Sequence, residues 1–166
     1  ESLRILAKGD YTISKDKRTH RIINEYAEAG IGVAYRPIYN NRFNLLGRYS
    51  YILNKENDSD RETSYLEESK HILEAEGNYK LTKRLTAGMK TAVKFENDYY
   101  KTSDGRNIKV EKNFALLGFR QEYEVIKDWD LMAEYRFLAD IGENNNTENL
   151  KHGALVGVYK HIGENM

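Results

Sequence analysis

The stretch that decides the fold runs from residue 117 to residue 139: Leu117-Gly118-Phe119-Arg120-Gln121-Glu122-Tyr123-Glu124-Val125-Ile126-Lys127-Asp128-Trp129-Asp130-Leu131-Met132-Ala133-Glu134-Tyr135-Arg136-Phe137-Leu138-Ala139. Its odd positions are Leu, Phe, Gln, Tyr, Val, Lys, Trp, Leu, Ala, Tyr, Phe and Ala, while its even positions carry Arg120, Glu122, Glu124, Asp130, Glu134 and Arg136. A helix would place neighbours of this spacing all around its circumference, whereas an extended strand sends successive side chains to opposite faces. The period of two therefore means β-structure, and Lys127-Asp128 between the two runs has the polarity of a tight turn.

The same reading extends over the whole chain. Eight alternating segments are expected at Leu3 to Ser14, Ile23 to Pro37, Phe43 to Leu53, Leu66 to Leu81, Leu85 to Tyr100, Ile108 to Ile126, Trp129 to Ile141 and Leu150 to Ile162. Tyr65, Leu66, Ser69, Ile72 and Leu73 also fit a helical stripe, and Glu67, Glu68 and Lys70 favour helices, so a helical start to the fourth segment is a second expectation there. The second, fourth and sixth connectors are tight, while the third (Glu56 to Glu62) and seventh (Gly142 to Asn149) are long and polar. Short turns at one end and longer loops at the other characterise up-and-down transmembrane barrels.

The two faces differ sharply. In the first seven segments one face, followed over the odd positions of 3–13, 27–35, 43–53, 71–81, 85–95, 115–125 and 129–139 and exemplified by Ala27, Ile31, Val33, Leu45, Leu73, Val93, Phe119 and Leu131, contains no Asp, Glu, Lys or Arg. In the last segment the apolar set shifts to even residues, Ala154, Val156, Val158 and Ile162, with Lys160 the one charge. The opposite face carries at least nine basic and ten acidic residues. From these a lumen-facing charge network is expected from Glu28, Arg48, Glu74, Lys90, Lys94, Glu96, Arg120, Glu122, Glu134 and Arg136, interlocking across a confined interior.

Composition narrows the classes further. Among 166 residues the 26 basic and 26 acidic side chains cancel, which argues against nucleic acid as a partner. The absence of cysteine removes disulfides, thiolate metal sites and a cysteine nucleophile. Thirteen tyrosines and the single proline, Pro37, suit a chain whose backbone pairs along its length. No apolar run reaches the length of a membrane helix, but strands that alternate look hydrophilic on average, as here with a mean hydropathy of -0.77. The length fits a single domain over 1–166.

Alternation alone leaves the direction of the faces open. A lipocalin-like barrel would turn the apolar face inward around an apolar ligand. Three features favour the reverse, an all-β, antiparallel up-and-down transmembrane barrel with its apolar face on outer-membrane lipid. The apolar bands are about 9 to 11 residues long, as a tilted membrane strand requires. Tyr35, Phe43, Tyr79, Tyr123 and Trp129 gather toward the tight-turn ends as an interfacial aromatic girdle. The charged face mixes both signs almost evenly.

Asn41 to Tyr51, Lys127 to Arg136 and Gly153 to His161 resemble the C-terminal barrel of large multidomain bacterial outer-membrane surface proteins. The resemblance implies a membrane anchor attached to further domains. Such barrels commonly end on an aromatic residue after one more strand; Gly163-Glu164-Asn165-Met166 departs from that, and further strands beyond this chain are expected.

Chemical motifs are sparse. Gly30-Ile31-Gly32 lacks the third glycine and the helix of a dinucleotide site. His20, His71, His152 and His161 have no ligand spacing, and Asp58 and Asp60 sit in a polar loop. Ser14, Asp16 and His20 supply ingredients of a catalytic set without its context. No catalytic residue, cofactor or metal is expected. Three functions are weighed: a non-enzymatic outer-membrane anchor or channel first, a soluble carrier second, a barrel enzyme third.

Overall fold

The computed structural model describes residues 3–39, 41–57, 65–101, 106–142 and 147–160. They form eight strands: β1 (Leu3–Lys15), β2 (Ile22–Tyr35), β3 (Phe43–Asn57), β4 (Tyr65–Lys80), β5 (Leu85–Lys101), β6 (Asn107–Ile126), β7 (Trp129–Ile141) and β8 (Thr147–Lys160). All belong to one sheet in the order of the sequence, and every neighbouring pair is antiparallel. This is the expected up-and-down meander. Among the described residues, β1 and β8 each keep one edge unpaired.

The start of the fourth segment is strand, not helix. Leu66 pairs with Glu56 and with Tyr100, so its backbone is committed to ladders on both sides. The helical stripe of Tyr65 to Leu73 gives way because pairing on two flanks satisfies each N–H and C=O without a helix. β2 stops at Tyr35, ahead of Pro37, whose missing N–H cannot enter a ladder. On the loop side β3 runs four residues past the expected Leu53, to Asn57, while β4, β5 and β6 match expectation to within one residue. β6 has 20 residues, roughly 65 Å of chain at about 3.3 Å per residue.

Register fixes the faces. From β1 to β7 the ladders join odd residues to odd residues, as in Ile31↔Tyr49, Tyr49↔Leu73, Leu73↔Val93 and Ala115↔Ala139. Between β7 and β8 the parity changes, with Ala133 opposite Val156 and Leu131 opposite Val158. The shift of the apolar set to even residues in the last strand is thus a consequence of pairing, and one continuous apolar face results.

Turn chemistry holds the hairpins. Asp16 accepts the backbone N–H groups of Arg18 and Thr19, each at 2.7 Å, and His20 adopts φ 57° to bring the chain back. Between β4 and β5 the Thr82 hydroxyl accepts the N–H of Leu85 at 3.0 Å. Asp128 takes φ 67° in the tight β6–β7 connection, a conformation Asp tolerates better than most residues. The loop motifs around Asp58, Asp60 and Asn145, and the terminal residues His161, Ile162 and Gly163 to Met166, lie outside the described residues.

Candidate functional site

The sheltered side of the sheet is the charged one. Among the described residues the buried positions are Gly32, Ser50, Glu96, Asp98, Gly118 and Met132, and all six lie on the face that carries the charges. The apolar face stays open, with Val33 41%, Leu45 43% and Val156 69% exposed. Conventional soluble packing would reverse this distribution.

The charges on the sheltered face are largely paired. Lys8 donates to Glu28 at 2.7 Å, and Arg48 to Glu74 at 2.7 Å. Lys94 pairs with Glu96, and Arg136 with Glu134, each two residues along its own strand. Arg120 reaches Glu122 at 3.3 Å and Glu76 at 3.6 Å. Lys90 stands with Glu76, Arg120, Glu134 and Arg136 around a cavity of about 160 Å³. All ten residues named for the network therefore occupy one face. The pairs run along the sheet: Lys8–Glu28 and Arg48–Glu74 join neighbouring strands, Lys94–Glu96 and Arg136–Glu134 lie on one strand, and Arg120–Glu76 spans β5.

Glycine extends the reach of this network. Asn78, Gly88 and Arg120 occupy one row over β4, β5 and β6. With no side chain at the middle position, Arg120 donates to Asn78 Oδ1 at 3.2 Å across the intervening strand. A Cβ on Gly88 would lie 2.4 Å from that oxygen. Gly118 has the same place between Lys90 and Arg136.

The aromatic residues named for the girdle lie on the apolar face toward the tight turns. The Tyr35 and Phe43 rings are 6.4 Å apart, and Phe43 is opposite Tyr79 in the ladder. Tyr123 is opposite Leu85, and Trp129 receives Lys160 over its ring at 5.4 Å. Two histidines share this face with tyrosine partners. His71 Nδ1 is 2.8 Å from the Tyr49 hydroxyl, and His152 Nδ1 is 2.7 Å from that of Tyr135. Each pair lets a polar ring sit on an apolar face with a hydrogen bond made.

Sequence reasoning missed the most buried charge. Asp98 is 3% exposed, and its Oδ1 has no hydrogen-bond partner. Glu68 faces it directly in the ladder, with Glu96 beside it. Nothing in local spacing joins Glu68 to Asp98; only the β4–β5 register does. In the first connector, the Asp16 carboxylate is engaged by backbone amides.

No family model matches the sequence, and no curated protein matches it. Among solved structures it is similar to the crystal structure of Ail, the attachment invasion locus protein of Yersinia pestis, at 10% identity, covering 96% of this chain and 95% of that one, with a TM-score of 0.43. An identity and a TM-score this low transfer no residue role to this chain.

Proposed function

We propose that this chain forms the wall of a bacterial outer-membrane β-barrel and serves as the non-enzymatic membrane anchor of a larger surface protein. The observation that carries the proposal is the inversion of burial: the charged face is the sheltered one, and a continuous face bearing Leu, Val, Phe and Tyr is open. In water such a face would be an aggregation surface, whereas in a bilayer it meets hydrocarbon. A lipocalin-like carrier would need the opposite arrangement. Continuous antiparallel ladders from β1 to β8 suit the same setting, since lipid leaves no solvent for unpaired backbone groups. The free edges of β1 and β8 provide the surfaces that complete the ring, with each other or with further strands.

An anchor is favoured over a channel by the pairing of the charges. Lys8–Glu28, Arg48–Glu74 and Arg120–Glu76 leave little uncompensated field on the sheltered face to draw ions of one sign.

Refolding separates these readings. Diluted from denaturant into detergent micelles or lipid vesicles, the chain should become β-rich and migrate anomalously on a gel until heated. In plain buffer it should aggregate. A monodisperse folded monomer in buffer would overturn the membrane proposal and favour the soluble carrier.

A further inference from the structure

We propose that Glu68, Glu96 and Asp98 form a binding site for a hard divalent cation of calcium size at the loop end of the sheltered face. One oxygen from each of the three residues lies within 4.8 Å of the others. Glu68 and Asp98 are directly opposed in the β4–β5 ladder, a pairing of like charges that is destabilising by itself and is offset by one lysine on each carboxylate, Lys70 and Lys112. Asp98 supplies the independent observation. It is 97% buried by residue surface (3% exposed), and its Oδ1 lacks any hydrogen-bond donor. A carboxylate oxygen withdrawn from water without a partner carries a large desolvation cost, which a coordinated cation removes.

The geometry and donor set narrow the choice of ion. Only carboxylate oxygens converge here, which suits hard cations rather than zinc or copper. Three carboxylates drawn from two strands offer an irregular oxygen set, which calcium accepts in its flexible coordination, whereas magnesium demands near-ideal octahedral geometry and gives up its water reluctantly.

Three lysines flank the site and set the competition. Lys70 binds Glu68 at 2.7 Å, Lys94 binds Glu96, and Lys112 binds Asp98 Oδ2 at 2.7 Å and Glu96 Oε1 at 3.8 Å. Their side chains are 25%, 33% and 42% exposed, so each ammonium can swing into water on its flexible stem when the ion enters. Asp98 lies roughly 43 Å along β5 from the tight turn at about 3.3 Å per residue, beyond the 9 to 11 residues of a membrane crossing, so the ion would come from the aqueous side. This inference stands on the carboxylates alone and does not depend on the anchor reading.

Terbium serves as the probe because the Tyr100 hydroxyl is 3.4 Å from Asp98 Oδ2 and can sensitise its emission. The full chain, refolded in zwitterionic micelles, should show saturable terbium luminescence at one ion per chain, displaced by calcium at least tenfold more effectively than by magnesium. Asp98→Asn should weaken binding at least tenfold while keeping the heat-modifiable gel shift. If that variant does not fold, Glu68→Gln, at a less buried position, should produce the same loss. Emission of equal strength in the wild type and in a folded variant would overturn the proposal. So would an absence of calcium-displaceable emission, which would leave water as the partner of Asp98 Oδ1, and so would equal displacement by magnesium.

Discussion

Arg120 on β6 and Asn78 on β4 share a hydrogen bond of 3.2 Å although a whole strand separates them. The contact passes over Gly88, the β5 residue that is their common ladder neighbour. Sheet geometry normally confines side-chain partners to adjacent strands, so a residue without a Cβ in the middle position is what permits this reach.

Substituting that glycine tests the arrangement. In Gly88→Ala the new methyl would stand 2.4 Å from Asn78 Oδ1, so Asn78 must turn away and the bond to Arg120 is lost. A hydrogen bond to a charged group contributes about 1.5 to 3 kcal/mol, partly offset by the roughly 0.5 to 1 kcal/mol that alanine gains over glycine in an extended strand. The net loss should be about 1 kcal/mol in urea unfolding from micelles. Gly47→Ala is the control, because nothing lies within 4 Å of its added Cβ, and it should be neutral or slightly stabilising. Equal effects at both positions would rule out the Gly88 bridge.

Arginine substitutions report which face meets lipid. Val33 and Leu45 lie exposed on the apolar face, and Val33→Arg or Leu45→Arg should cost about 2 to 4 kcal/mol in vesicles if they sit near the bilayer midplane. Leu46, its neighbour on the charged face and 42% exposed, should accept arginine at much lower cost. Ser50 shares the charged face but is 8% exposed, so Ser50→Arg should be costly through overpacking, not through lipid contact. Equal tolerance of arginine at Val33, Leu45 and Leu46 would mean that the faces are assigned wrongly.

Acid should loosen the first hairpin before the sheet. The amides of Thr19 and Arg18 hold the Asp16 carboxyl below its ordinary range. Because the folded value is the lower one, this stabilisation is complete above the unfolded carboxylate range near pH 4 and is lost as pH falls through the depressed folded value. The stability difference between wild type and Asp16→Ala should be flat above about pH 5 and shrink steadily below about pH 4. A difference independent of pH would show that Asp16 acts by shape alone.

Strand existence and facing were legible in the sequence because both depend on the period of two. Trp129 to Ala139 keep every odd position uncharged with Asp130, Glu134 and Arg136 at even ones, and the parity change at Ala154, Val156 and Val158 is visible without any pairing partner. The partners themselves were not legible. Glu68 meets Asp98, and Asn78 meets Arg120, only because of ladder registers set by turn geometry far along the chain. The helical stripe at Tyr65 to Leu73 misled for a related reason: local propensity carries no information about two flanking strands that satisfy its backbone.

Planar-bilayer recordings address the anchor directly. If the ring closes with eight strands, side chains of the charged face fill an interior of that size, and the pairs Lys8–Glu28, Arg48–Glu74 and Arg136–Glu134 hold those side chains in place. In a closed ring, rotating a paired charge aside to admit an ion would strand its partner in a poorly hydrated space, at a desolvation cost. The purified chain should therefore insert without steady current at physiological salt. Reducing the ionic strength tenfold lengthens the screening distance to about 25 Å and strengthens the pairs, so it should not open a path. Large, constant, ion-selective steps would refute the plugged anchor and require a wider ring, in which the free edges of β1 and β8 are joined by additional strands or by several chains.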